Sequence, residues 1–248
     1  MRLARARTPA GIGTGKIDGD RFVTESNEYA LGDGDGEATL LAPCEPSALF
    51  CVGRNYAATL EEMDYDRPDE PDFFVKPPAS IHPPSASLPY PAFTTELTYA
   101  GELVAVIDRE CHAIDPNEVP DVVRGYTVLN DLDALDQPGR TARKAWDGSA
   151  PLGPWIETDV DPTDTAMDME TTINRKTRQE ASTAQMLFSP AEIVSFLSER
   201  FTFGPGDAIA FGSPANPGLV EPGDGIAVSY EGIGTLETTI GPTATRAD

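Results

Sequence analysis

Two apolar runs, each next to an acidic residue, constrain the fold of this chain more than any other feature. Glu102 precedes the run at 103–107, and Asp131 follows a second run at 125–129. Continuous apolar runs of this length are typical of buried β-strands. A carboxylate at the end of each of two buried strands suits a divalent cation such as Mg²⁺, which prefers oxygen ligands. The alternative reading at this point is that both are ordinary carboxylates at strand ends.

The rest of the chain predicts many short strands and few helices. Gly- and Pro-rich turns recur along it, and residues 166–180 read as two strands joined by a turn at 174–176. Residues 186–200 carry apolar residues at helical spacing. Ser189 supplies the N-cap of this predicted helix and Pro190 its first position.

A series of short motifs follows the order found in one enzyme family. The motifs are Gly-Arg-Asn-Tyr at 53–56, Phe-Phe-Val-Lys-Pro at 73–77, Tyr-Ala-Gly-Glu-Leu at 99–103, Asn-Asp at 130–131, Lys-Ala-Trp-Asp at 144–147, Pro-Leu-Gly-Pro-Trp at 151–155, Gly-Ser-Pro at 212–214 and Gly-Ile-Gly at 232–234. On these motifs the chain resembles the fumarylacetoacetate hydrolase family from about residue 48 to residue 240. The resemblance implies an α+β, mainly β fold: a mixed β-sheet roll with few short helices, usually in a homodimer. It also implies a catalytic-type domain at 46–248 after a small N-terminal β region at 1–45.

The same resemblance implies a site for a small 2-oxo acid. Glu102 and Asp131 would hold Mg²⁺ or Mn²⁺, and the catalytic residues would be Lys144, which stabilises enolate charge, and Glu62. The substrate-binding residues would be Tyr56, Gln137, Gly212 and Ser213. The implied reaction is hydrolysis, decarboxylation, isomerisation, hydration or dehydration through a metal-stabilised enolate.

Three positions depart from the family pattern. Ala100 stands where the family has its first metal-binding glutamate. Thr59 replaces a histidine that pairs with Glu62, and Leu135 replaces an arginine that grips the substrate carboxylate. Because a hard cation depends on its anionic ligands, the metal is expected to bind weakly or to be lost. Two hypotheses stay open: an enzyme with a remodelled site, or a catalytically inactive relative with a binding or scaffold role.

The sequence leaves the roles of two charged residues near these motifs open. Glu96 could take the place of the missing ligand, although the path of its segment is not visible in the sequence. Lys76 either forms a salt bridge near the site or simply ends a strand.

The charge of the chain argues against nucleic-acid binding and indicates a salt-rich environment. The net charge is −23, with only 4 lysines against 14 arginines. Acidic residues spread along the whole chain indicate a solvated acidic coat, typical of halophilic archaeal proteins, because concentrated salt screens their repulsion. Such a chain lacks the basic surface that nucleic-acid binding needs. No apolar run is long enough to cross a bilayer, and the three cysteines fit a reducing cytoplasm.

Overall fold

The computed structural model describes residues 1–215 and 218–244 of the chain. Within them, nineteen strands, four α-helices and three short 3₁₀ helices follow one another. The first ten strands are β1 (Arg2–Thr8), β2 (Gly11–Asp18), β3 (Arg21–Val23), β4 (Glu28–Ala30), β5 (Thr39–Leu41), β6 (Leu49–Gly53), β7 (Asp72–Lys76), β8 (Ile81–His82), β9 (Ser87–Tyr90) and β10 (Leu97–Thr98). The other nine are β11 (Gly101–Ile107), β12 (Val123–Asn130), β13 (Asp133–Ala134), β14 (Ala150–Glu157), β15 (Asp168–Ile173), β16 (Lys176–Ser182), β17 (Ala208–Ala210), β18 (Gly225–Tyr230) and β19 (Gly234–Thr243).

The helices are short and lie between strands. The α-helices are α1 (Ala57–Met63), α2 (Val119–Val122), α3 (Gly139–Lys144) and α4 (Pro190–Ser198), and the 3₁₀ helices are Pro78–Ser80, Pro116–Glu118 and Thr183–Gln185. Helix α4 begins as the sequence predicts, since the Ser189 hydroxyl accepts a hydrogen bond from the N–H of Glu192 at 3.3 Å. No helix in the described part of the chain is both long and apolar enough to span a membrane.

Two β-sheets form the body of the protein. Twelve strands form the large sheet in the order β4-β3-β2-β1-β14-β12-β11-β17-β6-β7, with β5 beside β1 and β8 beside β14. The second sheet has the order β16-β15-β18-β19-β9, and β10 and β13 form a separate pair. The predicted fold class, α+β and mainly β with few short helices, is confirmed.

The centre of the large sheet is covered on both faces, which explains why β11 is a continuous apolar run. On one face, Leu103 and Ile107 lie in the larger core together with Val228 of the second sheet. On the other face, Val104 lies in a smaller core with Leu129 of β12. Successive strand residues point to opposite faces, so β11 contributes alternately to the two cores.

The N-terminal strands extend the large sheet at one edge. Arg2 pairs with Glu157 and Leu3 with Ile156, which joins β1 to β14 in antiparallel register. The division of the chain into regions 1–45 and 46–248 stays a prediction.

Candidate active site

Strand alternation places the two predicted metal ligands on one face of the large sheet. Glu102 lies two residues before Val104 and therefore shares the face of the smaller core. Asp131 lies two residues after Leu129 and continues the same face from β12. The strands β11 and β12 are paired, and the N–H of Asp131 donates to the carbonyl of Ala100 at 2.8 Å. Both acidic side chains are buried, with Glu102 3% and Asp131 1% exposed.

Two lysines hold the carboxylate of Asp131, one on each oxygen. The ammonium nitrogen of Lys76, at the end of β7, lies 2.7 Å from Oδ1 of Asp131. Lys144, at the end of α3, contacts Oδ2 of Asp131, and its Nζ lies 3.3 Å from Oδ2 of Asp133. The structure thus brings Glu102, Asp131 and Lys144 to one site.

Lys76 is enclosed by acceptors. Its ammonium donates to the carbonyl of Ser149 at 2.8 Å, to the hydroxyl of Ser149 at 3.1 Å and to the carbonyl of Leu132 at 3.3 Å. Its side chain is fully buried. Of the two alternatives for Lys76, the structure shows the salt bridge, and the crowded acceptors make this lysine a fixed internal cation.

Burial and charge move the pKa values of the site in opposite directions. Burial raises the pKa of Glu102 to about 8, and the charge of Asp131 adds to the rise. Burial also acts to raise the pKa of Asp131, but Lys144 and Lys76 outweigh it and the pKa is lowered. Burial lowers the pKa of Lys76, whereas Asp131 and Asp133 overcome burial and raise that of Lys144. Burial thus favours the neutral form of Glu102, whereas the two lysines favour the ionised form of Asp131.

A cavity of about 700 Å³ opens beside these groups. Its charged lining residues are Arg54, Glu62, Glu102, Asp131, Asp133, Arg140, Arg143 and Lys144. The cavity therefore gathers four of the 18 cationic side chains of a chain whose net charge is −23. This volume is within the range of sites for small molecules.

Two arginines at the cavity share a single carboxylate. Arg140 donates to the two oxygens of Asp72 at 2.9 and 2.7 Å, and Arg54 donates to Oδ2 of Asp72 at 3.1 and 2.5 Å. Hydrogen bonds from Arg140 lower the pKa of Asp72; burial opposes them, and Arg54 adds to the lowering. Two guanidinium groups that line the cavity therefore face the one carboxylate of Asp72.

Asp133 and Arg143 form a further pair that the sequence analysis missed. Arg143 binds Asp133 through two parallel hydrogen bonds of 2.8 and 2.6 Å. A signal for this cluster was present, since Arg140, Arg143 and Lys144 fall within five residues of a chain that is poor in cations.

The helix α1 contributes Glu62 and Thr59 to the cavity wall. The Thr59 hydroxyl, in the position of the family histidine, donates to the carbonyl of Ser213 at 3.0 Å. Ser213 also lines the cavity, and its hydroxyl accepts from Nε2 of Gln179 at 3.0 Å. Thr59 therefore holds α1 against the segment after β17 and offers no base to a substrate.

Gly212 and Gln179 position this part of the site. The N–H of Gly212 donates to Oε2 of Glu102 at 3.1 Å, and its φ of +91° together with a Cβ position only 3.0 Å from Asn55 requires glycine. Gln179, which is buried on β16, accepts from the N–H of Gly101 at 3.2 Å and donates to the carbonyl of Pro214 at 2.9 Å. Gln179 thus ties the strand of Glu102 to the segment after β17.

Four residues predicted to bind substrate or metal do not line the cavity: Gly212, whose N–H binds Glu102, and three that lie further away. Tyr56 is 1% exposed and packs in the interior below α1. Gln137 donates to the carbonyl of Phe93 at 2.7 Å, and Glu96 is exposed on the surface. None of the three lines the cavity formed by the described residues, whereas Ala100 and Leu135 do. These departures from the family pattern therefore fall at the site.

Comparison with known proteins identifies the family of the chain. The sequence model described as "Fumarylacetoacetate (FAA) hydrolase C-terminal" matches residues 48–241. The chain belongs to the fumarylacetoacetate hydrolase family. A Mycobacterium tuberculosis relative, Protein Rv2993c, is 34% identical over 97% of this chain and 98% of its own length.

Two further family relatives have names that state an activity. A Salmonella dublin 4-hydroxyphenylacetate degradation bifunctional isomerase/decarboxylase is 35% identical over 77% of this chain and 46% of its own length. The crystal structure of 5-carboxymethyl-2-hydroxymuconate delta-isomerase from Mycobacterium smegmatis has a TM-score of 0.89 and 33% identity, covering 99% of this chain and 100% of that one.

The metal that family membership implies does not fit the donors of this chain. Both oxygens of Asp131 contact lysines, Glu102 accepts a hydrogen bond from the N–H of Gly212, and Ala100 offers no ligand. Across residues 1–215 and 218–244, no group of three or more Asp, Glu, His or Cys side chains is placed to hold a metal ion. The predicted Mg²⁺ or Mn²⁺ stays a prediction that this donor set disfavours.

Proposed function

We propose that this member of the fumarylacetoacetate hydrolase family is an enzyme that acts on a small 2-oxo acid bound in the cavity. The observation that carries the proposal is the position of Lys144. Its side chain is only 16% exposed, it lines the cavity, and it is anchored by Asp131 and Asp133. An ammonium group has three donors, so these two carboxylates leave one N–H for a ligand in the cavity.

Cationic side chains at the cavity suit the carboxylate of such a ligand. Arg140 and Arg54 carry more positive charge than their shared partner Asp72 neutralises. Guanidinium groups bind carboxylates through parallel hydrogen bonds. We therefore assign to Arg140 and Arg54 the carboxylate-binding role of the family arginine that Leu135 replaces.

The proposed chemistry is formation of an enolate next to Lys144. Loss of a proton from C3, or of carbon dioxide, leaves negative charge on the oxygen of the 2-oxo group. A fixed ammonium group in a buried site stabilises that charge as it develops. Glu62 on α1 lines the same cavity and is the proposed proton acceptor. Isomerisation fits better than carbon–carbon hydrolysis or hydration, because both of these need an activated water molecule and Thr59 cannot activate one.

Exchange of the C3 protons tests this proposal. The protein is incubated with pyruvate or 2-oxobutyrate in D₂O at high KCl, and the loss of C3 protons is followed by ¹H NMR. Wild-type protein and Lys16→Met, which removes an exposed lysine on β2, should both catalyse exchange. Lys144→Met should lower the rate by about tenfold or more, or at least about 1.4 kcal/mol in activation free energy. Equal rates in Lys144→Met and wild type would contradict the role of Lys144.

A catalytically inactive relative is the second candidate function. It is favoured by the hydrogen bond that commits the Thr59 hydroxyl to Ser213 and by the replacements at Ala100 and Leu135. This candidate predicts that oxalate, a planar analogue of a 2-oxo acid enolate, binds in the cavity while no C3 exchange above the uncatalysed rate occurs for any 2-oxo acid.

We also propose a homodimer that works in the cytoplasm of a salt-rich cell. The support is family membership for the dimer and the net charge of −23 for the salt. Light scattering at molar KCl measures the mass, which for a dimer is twice the 26.5 kDa of the chain.

A further inference from the structure

The buried carboxylate of Asp131 has two lysine partners. A divalent ion bound by carboxylates neutralises them with two positive charges. In this chain, two positive charges already lie on Asp131, because the ammonium of Lys76 contacts Oδ1 and that of Lys144 contacts Oδ2. The charge that a metal would bring is therefore supplied by the protein itself.

Surrounding acceptors hold the ammonium groups of both lysines in place. Lys76 is fully buried, and its ammonium has acceptors on Ser149 and Leu132 besides Asp131. Lys144 is held between Asp131 and Asp133, and Asp133 is held in turn by Arg143. A metal ion at Asp131 would lie beside two ammonium groups, whose positive charges repel it.

The other two positions of the predicted metal site do not offset the unfavourable effect of the two lysines on metal binding. Ala100 has no ligand atom in its side chain, and Oε2 of Glu102 accepts a hydrogen bond from the N–H of Gly212. Hard cations need several anionic oxygens, and one free carboxylate does not provide them.

We propose that Lys76 and Lys144 together replace the divalent metal ion in this chain, so that its cavity binds the 2-oxo acid without metal. This inference rests on the proposed function, since it concerns how the same cavity holds the same ligand. The third donor of Lys144 contacts the ligand, and Lys76 positions Asp131 through its salt bridge to Oδ1.

Calorimetry with oxalate tests the inference directly. Oxalate is titrated into the full-length protein at high KCl, first with excess EDTA and then with millimolar Mg²⁺ or Mn²⁺, and the heat of the same titration without protein is subtracted. The dissociation constant of the wild type should differ by less than about threefold between the two conditions. Lys144→Met should weaken binding by about tenfold or more in both, whereas Lys16→Met should match the wild type.

A direct metal titration gives an independent result. Mn²⁺ is titrated without oxalate into the wild type and into Ala100→Glu, which restores the missing carboxylate. The wild type should show no binding at millimolar Mn²⁺, and Ala100→Glu should bind Mn²⁺ at least about tenfold more tightly than the wild type. If Ala100→Glu does not fold, the wild-type titration alone decides.

The possible failures are distinguishable. Oxalate binding that occurs only with metal, or Mn²⁺ binding to the wild type as tight as to Ala100→Glu, would overturn the metal-free site and leave the proposed function intact. Absence of oxalate binding in both conditions would overturn the proposed function and the inference with it.

Discussion

Replacing Lys76 by methionine removes the most deeply buried positive charge of the site while keeping an unbranched side chain of similar length. In the wild type, the ammonium of Lys76 lies 2.7 Å from Asp131 and donates to Ser149 and Leu132. Removing one partner of a buried ion pair costs about 3–5 kcal/mol, because the other charge stays buried. Here Lys144 still contacts Asp131, so we expect the lower end, about 3 kcal/mol.

Thermal unfolding at high KCl, followed by circular dichroism, measures this loss. For a chain of this size, each kcal/mol lowers Tm by about 2–4 °C, so Lys76→Met should lower Tm by roughly 6–12 °C. The double variant with Asp131→Asn should lose less than the sum of the single losses, since the two residues interact. Lys16→Met, a matched change at an exposed position, should leave Tm nearly unchanged. A Tm for Lys76→Met that matches Lys16→Met would refute the view that Lys76 is a fixed internal cation.

Three further predictions concern pH, ligand binding and salt. The pKa of Glu102 is raised from 4.5 in the unfolded chain to about 8 in the folded protein, so ionisation of Glu102 disfavours folding. The free energy of unfolding of the wild type, relative to that of Glu102→Gln, should therefore fall as pH rises between these values. Urea unfolding measures this difference, and a difference that stays constant with pH would contradict the raised pKa. Arg140→Gln should weaken oxalate binding by about tenfold in calorimetry, whereas Arg124→Gln, which removes a surface arginine paired with Asp108, should not. Lowering KCl from molar to tenth-molar should lower Tm, because the repulsion of a −23 chain is then less screened; an unchanged Tm would remove the argument for a salt-rich environment.

The pattern of side chains along single strands could be predicted from the sequence. The runs at 103–107 and 125–129 are enough to place Glu102 in one buried strand and Asp131 directly after another, and family spacing adds Lys144. Local chemistry also predicted the start of α4, because Ser189 and Pro190 act within one turn of the helix. The many short strands follow from the same kind of local signal, whereas the sheet roll was implied by the family resemblance.

Contacts between distant segments could not be predicted in this way. Lys76 and Asp131 are 55 positions apart, and only the order of the strands brings them together. Gln179 looks like an ordinary polar residue of a strand until the fold buries it against the segment after β17. Tyr56 and Gln137 were assigned by motif position alone, and the burial of one and the local hydrogen bond of the other depend on packing that a motif does not contain.

A crystal structure with oxalate bound in the presence of EDTA tests the central claim most directly. The account predicts oxalate inside the cavity, with one of its oxygens within hydrogen-bond distance of Nζ of Lys144 while Lys144 still contacts Asp131. Oxalate bound outside this cavity, or a Lys144 side chain turned away from it, would contradict the claim that this lysine is the centre of the site.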